Sequence, residues 1–196
     1  MTKILQANQK PARTTVQSGG EKVLRQNTKE VRISDIKTKK IQNVLKEMSG
    51  ALAKEDDGVA IAAPQIGYSL RIFVVSGKIF AEDFGKSTEE KLLNQNNIIQ
   101  TIKKKEKDLI FINPKISKLS REKDWVSEGC LSVRWLYGKT FRSKKATITA
   151  YDKNGKKFTR GASGLLAQIF QHETDHLDGV LFIDHAKDVK EELPMK

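Results

Sequence analysis

Cysteine is nearly missing from this chain: Cys130 is the only one among 196 residues. An intrachain disulfide is therefore excluded, which fits a reducing compartment. Histidine is almost as scarce, with three copies. Long apolar runs are absent too. None approaches the roughly 18–20 residues needed to cross a bilayer, so the chain reads as soluble and no membrane partner is expected. Acid is missing from the first twenty residues, which carry three basic side chains. They also lack the apolar core of a secretory signal and show little of the amphipathic pattern of a transit peptide. We read residues 1–20 as a flexible N-terminal leader. No internal repeat and no Pro/Gly/Ser-rich linker divides the remainder of the chain. Residues 21–186 are read as one domain, long enough for a sizeable core, and residues 187–196 as a short charged tail.

What the chain has in excess is positive charge, +12 net from 36 basic and 24 acidic residues. Such a surface is attracted to nucleic acid, ribosomes or anionic lipid. The lysines are scattered and no nucleic-acid motif accompanies them. The reading is a solvated basic face that requires no stable nucleic-acid partner.

The spacing of Ile36, Ile41, Val44, Leu45, Met48 and Leu52 predicts an amphipathic helix of about twenty residues, starting near Ser34 or Asp35. A loop, DDGVAIAAPQIGYS, comes next, and LRIFVV then reads as a buried strand. The polar, lysine-rich stretch Ser76–Asp108 is expected to be a mobile surface excursion with a short helix. LIFINPKIS returns to strand. KATITAYDKNGKKFTRGA alternates Thr147, Thr149 and Tyr151, turns at Asn154-Gly155 and runs back as a hairpin. Ser163 is a candidate cap for a helix from Gly164. Leu165, Leu166, Ile169 and Phe170 form one apolar face of that helix, which passes into His172 and His176. Strands come first and the principal helix late. The fold expected is α+β, with antiparallel or mixed β-sheets packed around a central helix.

That helix ends in QHETDHLDG, which holds two of the three histidines at the spacing His-Glu-x-x-His. Residues four apart lie one turn above another on the same helix face, so His172 and His176 can point at one ion. Glu173, about 100° around the helix, is free to act as a base. Two imidazoles leave a catalytic metal short of a ligand, because such sites commonly have three protein ligands and an open position. His185 is read as a surface residue. Cys130, in SEGCLSV beside Gly129, is the candidate third ligand. Spacing alone cannot bring it to the helix. A thiolate with two imidazoles suits iron, zinc, nickel or cobalt rather than calcium or magnesium.

Three segments together resemble the peptide deformylase family: GVAIAAPQIG (Gly58–Gly67), EGCLS (Glu128–Ser132) and QHETDH (Gln171–His176). KVLRQNTKEV, FINPKI and LDGVLFID extend the likeness from Glu21 to Asp184. The resemblance implies a mononuclear metal hydrolase that removes the formyl group from N-formylmethionine on nascent polypeptides. It implies Cys130, His172 and His176 as ligands of one divalent ion. Fe²⁺ would be the physiological metal, with Zn²⁺, Ni²⁺ or Co²⁺ able to substitute. It implies Glu173 as general base and then acid, and Gln65 with the Leu131 N–H as the oxyanion hole. Gly58, Val59, Ala60, Glu128, Gly129 and Ile169 would contact substrate. An apolar pocket for the methionine side chain is expected from Ile169 and Leu131–Leu136. The location implied is bacterial cytoplasm, or less readily an organelle, with the ribosome as a possible partner.

The chain departs from the family's pattern in places. Ala60 stands where a second glycine is usual. Arg134 and then Trp135 follow SEGCLSV where proline is common, which places a positive charge at the rim of the pocket. Arg142 is expected to pair with Glu128 or Asp175. Two other classes remain open at this level. A zinc peptidase would use a histidine or carboxylate in place of Cys130. A ribosomal-RNA-binding protein would carry a relict metal site.

Overall fold

The computed structural model describes residues 2–7, 19–81, 84 and 107–193. Apart from a 3-10 turn at Gly77–Phe80, the expected mobile excursion lies almost wholly outside the described residues. Among the described residues are three α-helices: α1 (Gly19–Leu24), α2 (Lys39–Leu52) and α3 (Gly164–Leu177). The same residues form eight strands: β1 (Ala60–Ala62), β2 (Ile72–Val75), β3 (Leu109–Leu119), β4 (Lys123–Gly129), β5 (Leu136–Ser143), β6 (Lys145–Tyr151), β7 (Lys157–Ser163) and β8 (Lys187–Glu191). They form a five-stranded sheet in the order β1-β2-β3-β6-β7 and a three-stranded sheet in the order β4-β5-β8. Among the described residues every ladder is antiparallel, and the one parallel pairing is an isolated bridge from Lys29 to Leu70. The α+β architecture expected from sequence is the one observed.

Helix α2 starts later than its periodicity suggests. Ile33–Asp35 is a separate 3-10 turn, and the Thr38 N–H closes on the Asp35 carbonyl at 2.9 Å. Thr38 is extended, and its hydroxyl accepts from the Ile41 N–H. A threonine oxygen facing a free first-turn N–H is the usual stabilising start of a helix. Ile41, Val44, Leu45, Met48 and Leu52 are buried along one face, against Ile61, Ile66, Ile72 and Val74.

Helix α3 packs on β1, β3, β6 and β7 of the large sheet and on β5 of the small one. The β6–β7 hairpin forms as expected, with Gly155 in the left-handed region at φ 76°. Ser163 occupies the N-cap position of α3, but its side chain makes no cap hydrogen bond. Phe170 from the helix meets Phe111 edge-on at 5.2 Å, and Phe111 stacks on Phe73 at 4.5 Å. Fully buried phenyl rings of this kind each contribute about 1.5–3 kcal/mol by leaving water. They fix the level at which the next helical turns, carrying the histidines, emerge.

Two expectations about the chain ends change. The charged segment Lys187–Glu191, read as part of a tail, is the third strand of the small sheet, with all its side chains exposed. The flexible leader is corrected for residues 2–7. Ile4 and Ala7 are buried, and backbone hydrogen bonds run from Leu5 to Gln65 and from Ala7 to Ser132.

Candidate metal centre

His172 and His176 sit one turn apart on α3, with ring centroids 4.9 Å apart. Cys130 follows β4, and its Sγ lies 3.2 Å from His176 Nε2. The ligand-type atoms of Cys130, His172 and His176 all fall within 4.8 Å of one another. Gly129, just before Cys130, lets the Tyr137 ring of β5 lie against the end of β4: a Cβ there would stand 2.6 Å from that ring. The Cys130–helix proximity that spacing could not give is therefore a product of how the small sheet docks on α3. His185 lies outside the group, with its Nε2 3.8 Å from Asp175.

A buried network holds this arrangement. Arg142 on β5 meets both oxygens of Glu128, at 2.8 and 3.0 Å, and reaches Asp175 on α3 at 2.7 Å. The sequence offered Glu128 or Asp175 as its partner, and the structure gives it both. The other Glu128 contact is His172 Nδ1, at 3.1 Å. A carboxylate on Nδ1 fixes that nitrogen as the donor and turns Nε2 toward the thiol. Gln171, which immediately precedes His172, accepts from the Ser143 N–H and donates to the Ser143 carbonyl, at 3.0 and 2.9 Å. It also donates to the Ala167 carbonyl on its own helix. These contacts bolt α3 to β5.

Electrostatics follow from burial and neighbours. Burial disfavours the Cys130 thiolate, but the imidazoles of His176 and His172 outweigh it and bring the thiol down to about 5. Burial works the same way against ionised Glu128. Hydrogen bonds from His172 and Arg142 nevertheless hold its carboxyl well below the usual carboxylate range. Glu173 is the reverse case: burial dominates and pushes it up to about 7, against the pull of His172 and His176. Its Oε2 and the Nδ1 of His176 are buried atoms without a hydrogen-bond partner among the described residues.

A cleft of about 250 Å³ opens onto these groups, lined on one wall by Gly58, Val59 and Ala60 and on the other by Ser127, Glu128 and Gly129. Both walls are sheet edges, because β1 ends one sheet and β4 ends the other. Val59 accepts from the Ser76 N–H on the β2 side, so strand alternation turns the N–H and C=O of Ala60 to the open edge. Ala60 is absent from the residues with positive φ, so its methyl sits in ordinary strand backbone. Gly58 has no such freedom, since a Cβ there would meet Glu55 Cβ at 2.9 Å.

Gln65 lies in the 3-10 turn Ala63–Ile66 and is 2% exposed. Its Oε1 accepts from the Ala62 N–H at 2.8 Å, which leaves Nε2 to face Ser132 Oγ at 3.2 Å and Cys130 Sγ at 3.8 Å. Leu131 lines the cleft beside Cys130, and Ile169 and Leu165 add apolar surface from α3. Of the Leu131–Leu136 segment, Val133 does not line the cleft: it is packed with Leu24, Leu181 and Phe182. Glu128 lines the cleft, but its carboxylate is taken up by Arg142 and His172. Arg134 pairs with Asp57 at 2.8 Å and with Glu55, and its guanidinium lies 5.1 Å over Trp135. Trp135 itself has φ 58°, a strained value for a side chain of its size. Ser132 and Gln171 stand inside motifs quoted from the sequence but were given no role there. Both flank motif residues, and a polar side chain between two core-facing positions was the available signal.

The polypeptide deformylase family model matches residues 14–192. Peptide deformylase 2 of Clostridium acetobutylicum is 35% identical over 164 residues, covering 84% of this chain and 89% of that protein. Peptide deformylase 2 of Gloeobacter violaceus is 36% identical over 169 residues, covering 86% and 76%. A crystal structure of a peptide deformylase from Legionella pneumophila superposes with a TM-score of 0.69 at 28% identity, over 96% of this chain and 87% of that one. The chain belongs to the peptide deformylase family, metal-dependent hydrolases that remove the N-terminal formyl group from nascent polypeptides.

Proposed function

We propose that the cleft carries out this deformylation with Cys130, His172 and His176 holding one divalent metal ion. The observation that carries the reading is the convergence of these three donor atoms within 4.8 Å, beside a buried Glu173 carboxylate oxygen that has no partner among the described residues. The residues fit a metal: one thiolate and two imidazoles make a soft donor set. Fe²⁺ is the physiological ion in this reading, and Zn²⁺, Ni²⁺ or Co²⁺ can take its place. When bound, such an ion supplies Lewis acidity and brings the pKa of water toward neutrality.

The chain's own groups do the rest. Glu173, raised to about 7, takes the proton of the attacking water and returns it to the departing amine. The Gln65 Nε2 amide and the Leu131 N–H stabilise the formyl oxygen as it gains charge. The peptide adds as an extended strand between the edge at Gly58, Val59 and Ala60 and the end of β4 at Gly129. Val59, Leu165 and Ile169 face the methionine side chain. Glu128 acts through His172 rather than on the substrate. The partner is the N-formylmethionyl nascent chain, in bacterial cytoplasm. The +12 net charge favours encounter at the ribosome, which requires binding that weakens steeply with salt.

The test is formate release from formyl-Met-Ala-Ser by anaerobically prepared protein. Release that depends on added iron or nickel is expected. No release under metal-replete conditions would contradict the reading. Cleavage of internal peptide bonds by Cys130→Ser with its metal retained would favour a peptidase instead.

A further inference from the structure

Residues 5–7 bridge the two segments that carry the proposed oxyanion hole. The Leu5 N–H donates to the Gln65 carbonyl and the Ala7 N–H to the Ser132 carbonyl, both at 2.7 Å. Between them, Gln6 Nε2 donates to the Leu131 carbonyl at 2.9 Å, and Gln6 Oε1 accepts from the Arg134 N–H at 3.4 Å. Three consecutive residues thus grip the turn that carries Gln65 and the loop that carries Leu131. Both ends of the grip are anchored by burial. Ile4 joins the core formed with α2, and Ala7 joins the cluster of Val133, Leu181 and Phe182.

The two gripped segments come from different parts of the fold. Gln65 sits between β1 and β2 of the large sheet, whereas Leu131 lies between β4 and β5 of the small one. Their relative position is a matter of how the sheets dock, and a strap bonded to both limits that freedom. Gln6 acts closest to the chemistry. Its bond to the Leu131 carbonyl restrains rotation of the residue whose N–H would meet the formyl oxygen. Donor placement in such a hole matters at the scale of about 1 Å.

We propose that Gln6 is a positioning residue for deformylation, holding the Leu131 N–H at a fixed separation from the Gln65 amide. This rests on the proposed roles of Gln65 and Leu131. Gln6→Met keeps much of the side-chain volume and removes both hydrogen bonds. The expected result is a kcat lowered roughly tenfold, less than the 10²–10³ for outright loss of a donor. KM should stay within about twofold, with metal content and unfolding midpoint unchanged. Gln6→Lys, which restores a donor to the Leu131 carbonyl, should recover most of the loss. In a Gln65→Met background the same Gln6→Met change should cost less than about twofold, because the two act as one unit. A Gln6→Met enzyme with wild-type kcat would overturn the proposal. So would an equal loss in both backgrounds, or a loss that tracks metal content or the unfolding midpoint. A wild-type enzyme that releases no formate sinks the underlying reading, whereas an active wild type with an indifferent Gln6→Met sinks this one alone.

Discussion

The inner wall of the cleft and its outer rim are both held by an arginine between two carboxylates, yet the two are built differently. On the inner wall Arg142, Glu128 and Asp175 sit with His172, and the Arg142 and Glu128 side chains are 9% and 2% exposed. On the rim Arg134 meets Glu55 and Asp57, and the Asp57 side chain is 52% exposed. Removing one partner of a buried pair strands a charge in a medium that cannot solvate it. Removing a rim partner leaves a charge that water accepts. The same ion-pair chemistry is therefore structural in one place and adjustable in the other. Arg134, where the family commonly has proline, falls in the adjustable place.

The comparison breaks first at Arg142. Arg142→Ala should destabilise the fold by about 3–5 kcal/mol, read by urea unfolding, and should lower metal content through the loosened His172. Unchanged stability and metal content would refute the pairing. Chelation acts next on the inner wall alone. At an ion concentration about a hundredfold above Kd, binding adds roughly 2.7 kcal/mol, so stripping the ion should lower the melting midpoint correspondingly. It should also expose a reactive Cys130, given a thiol near 5, which alkylation rates would register. Gln171→Leu should cost about 1–3 kcal/mol, because two backbone groups of Ser143 lose their partner. Arg134→Ala should fall at the bottom, within about 1 kcal/mol. Its effect should appear instead as a change in KM for formylated peptides that differ beyond the methionine, with kcat nearly constant. A large loss of stability in Arg134→Ala would erase the distinction between rim and inner wall.

What could be read from the sequence depended on whether the signal was local. The β6–β7 hairpin and the α3 face carry their periodicity in consecutive residues, so both were legible. The start of α2 was misplaced because Asp35 and Thr38 are both good caps, and the turn between them decides in favour of Thr38. Strand β8 was missed because Lys187–Glu191 is exposed on every residue and shows no alternation to read. The strap at residues 5–7 was invisible for another reason: its partners are mostly backbone carbonyls, which no side-chain pattern announces. Cys130 was already the candidate third ligand from the residues alone, and the likeness to a family implied the same role. Only the docking of the small sheet against α3 brings its sulfur to 3.2 Å from His176.

The measurement that bears most directly on the central claim pairs metal stoichiometry with formate release in Glu173→Gln. If Glu173 moves protons and does not hold the ion, the variant should retain about one ion per chain while its rate falls about 10²–10⁴-fold. An unchanged rate, or loss of the ion along with the rate, would contradict the separation of ligand and base on which the reading of this site stands.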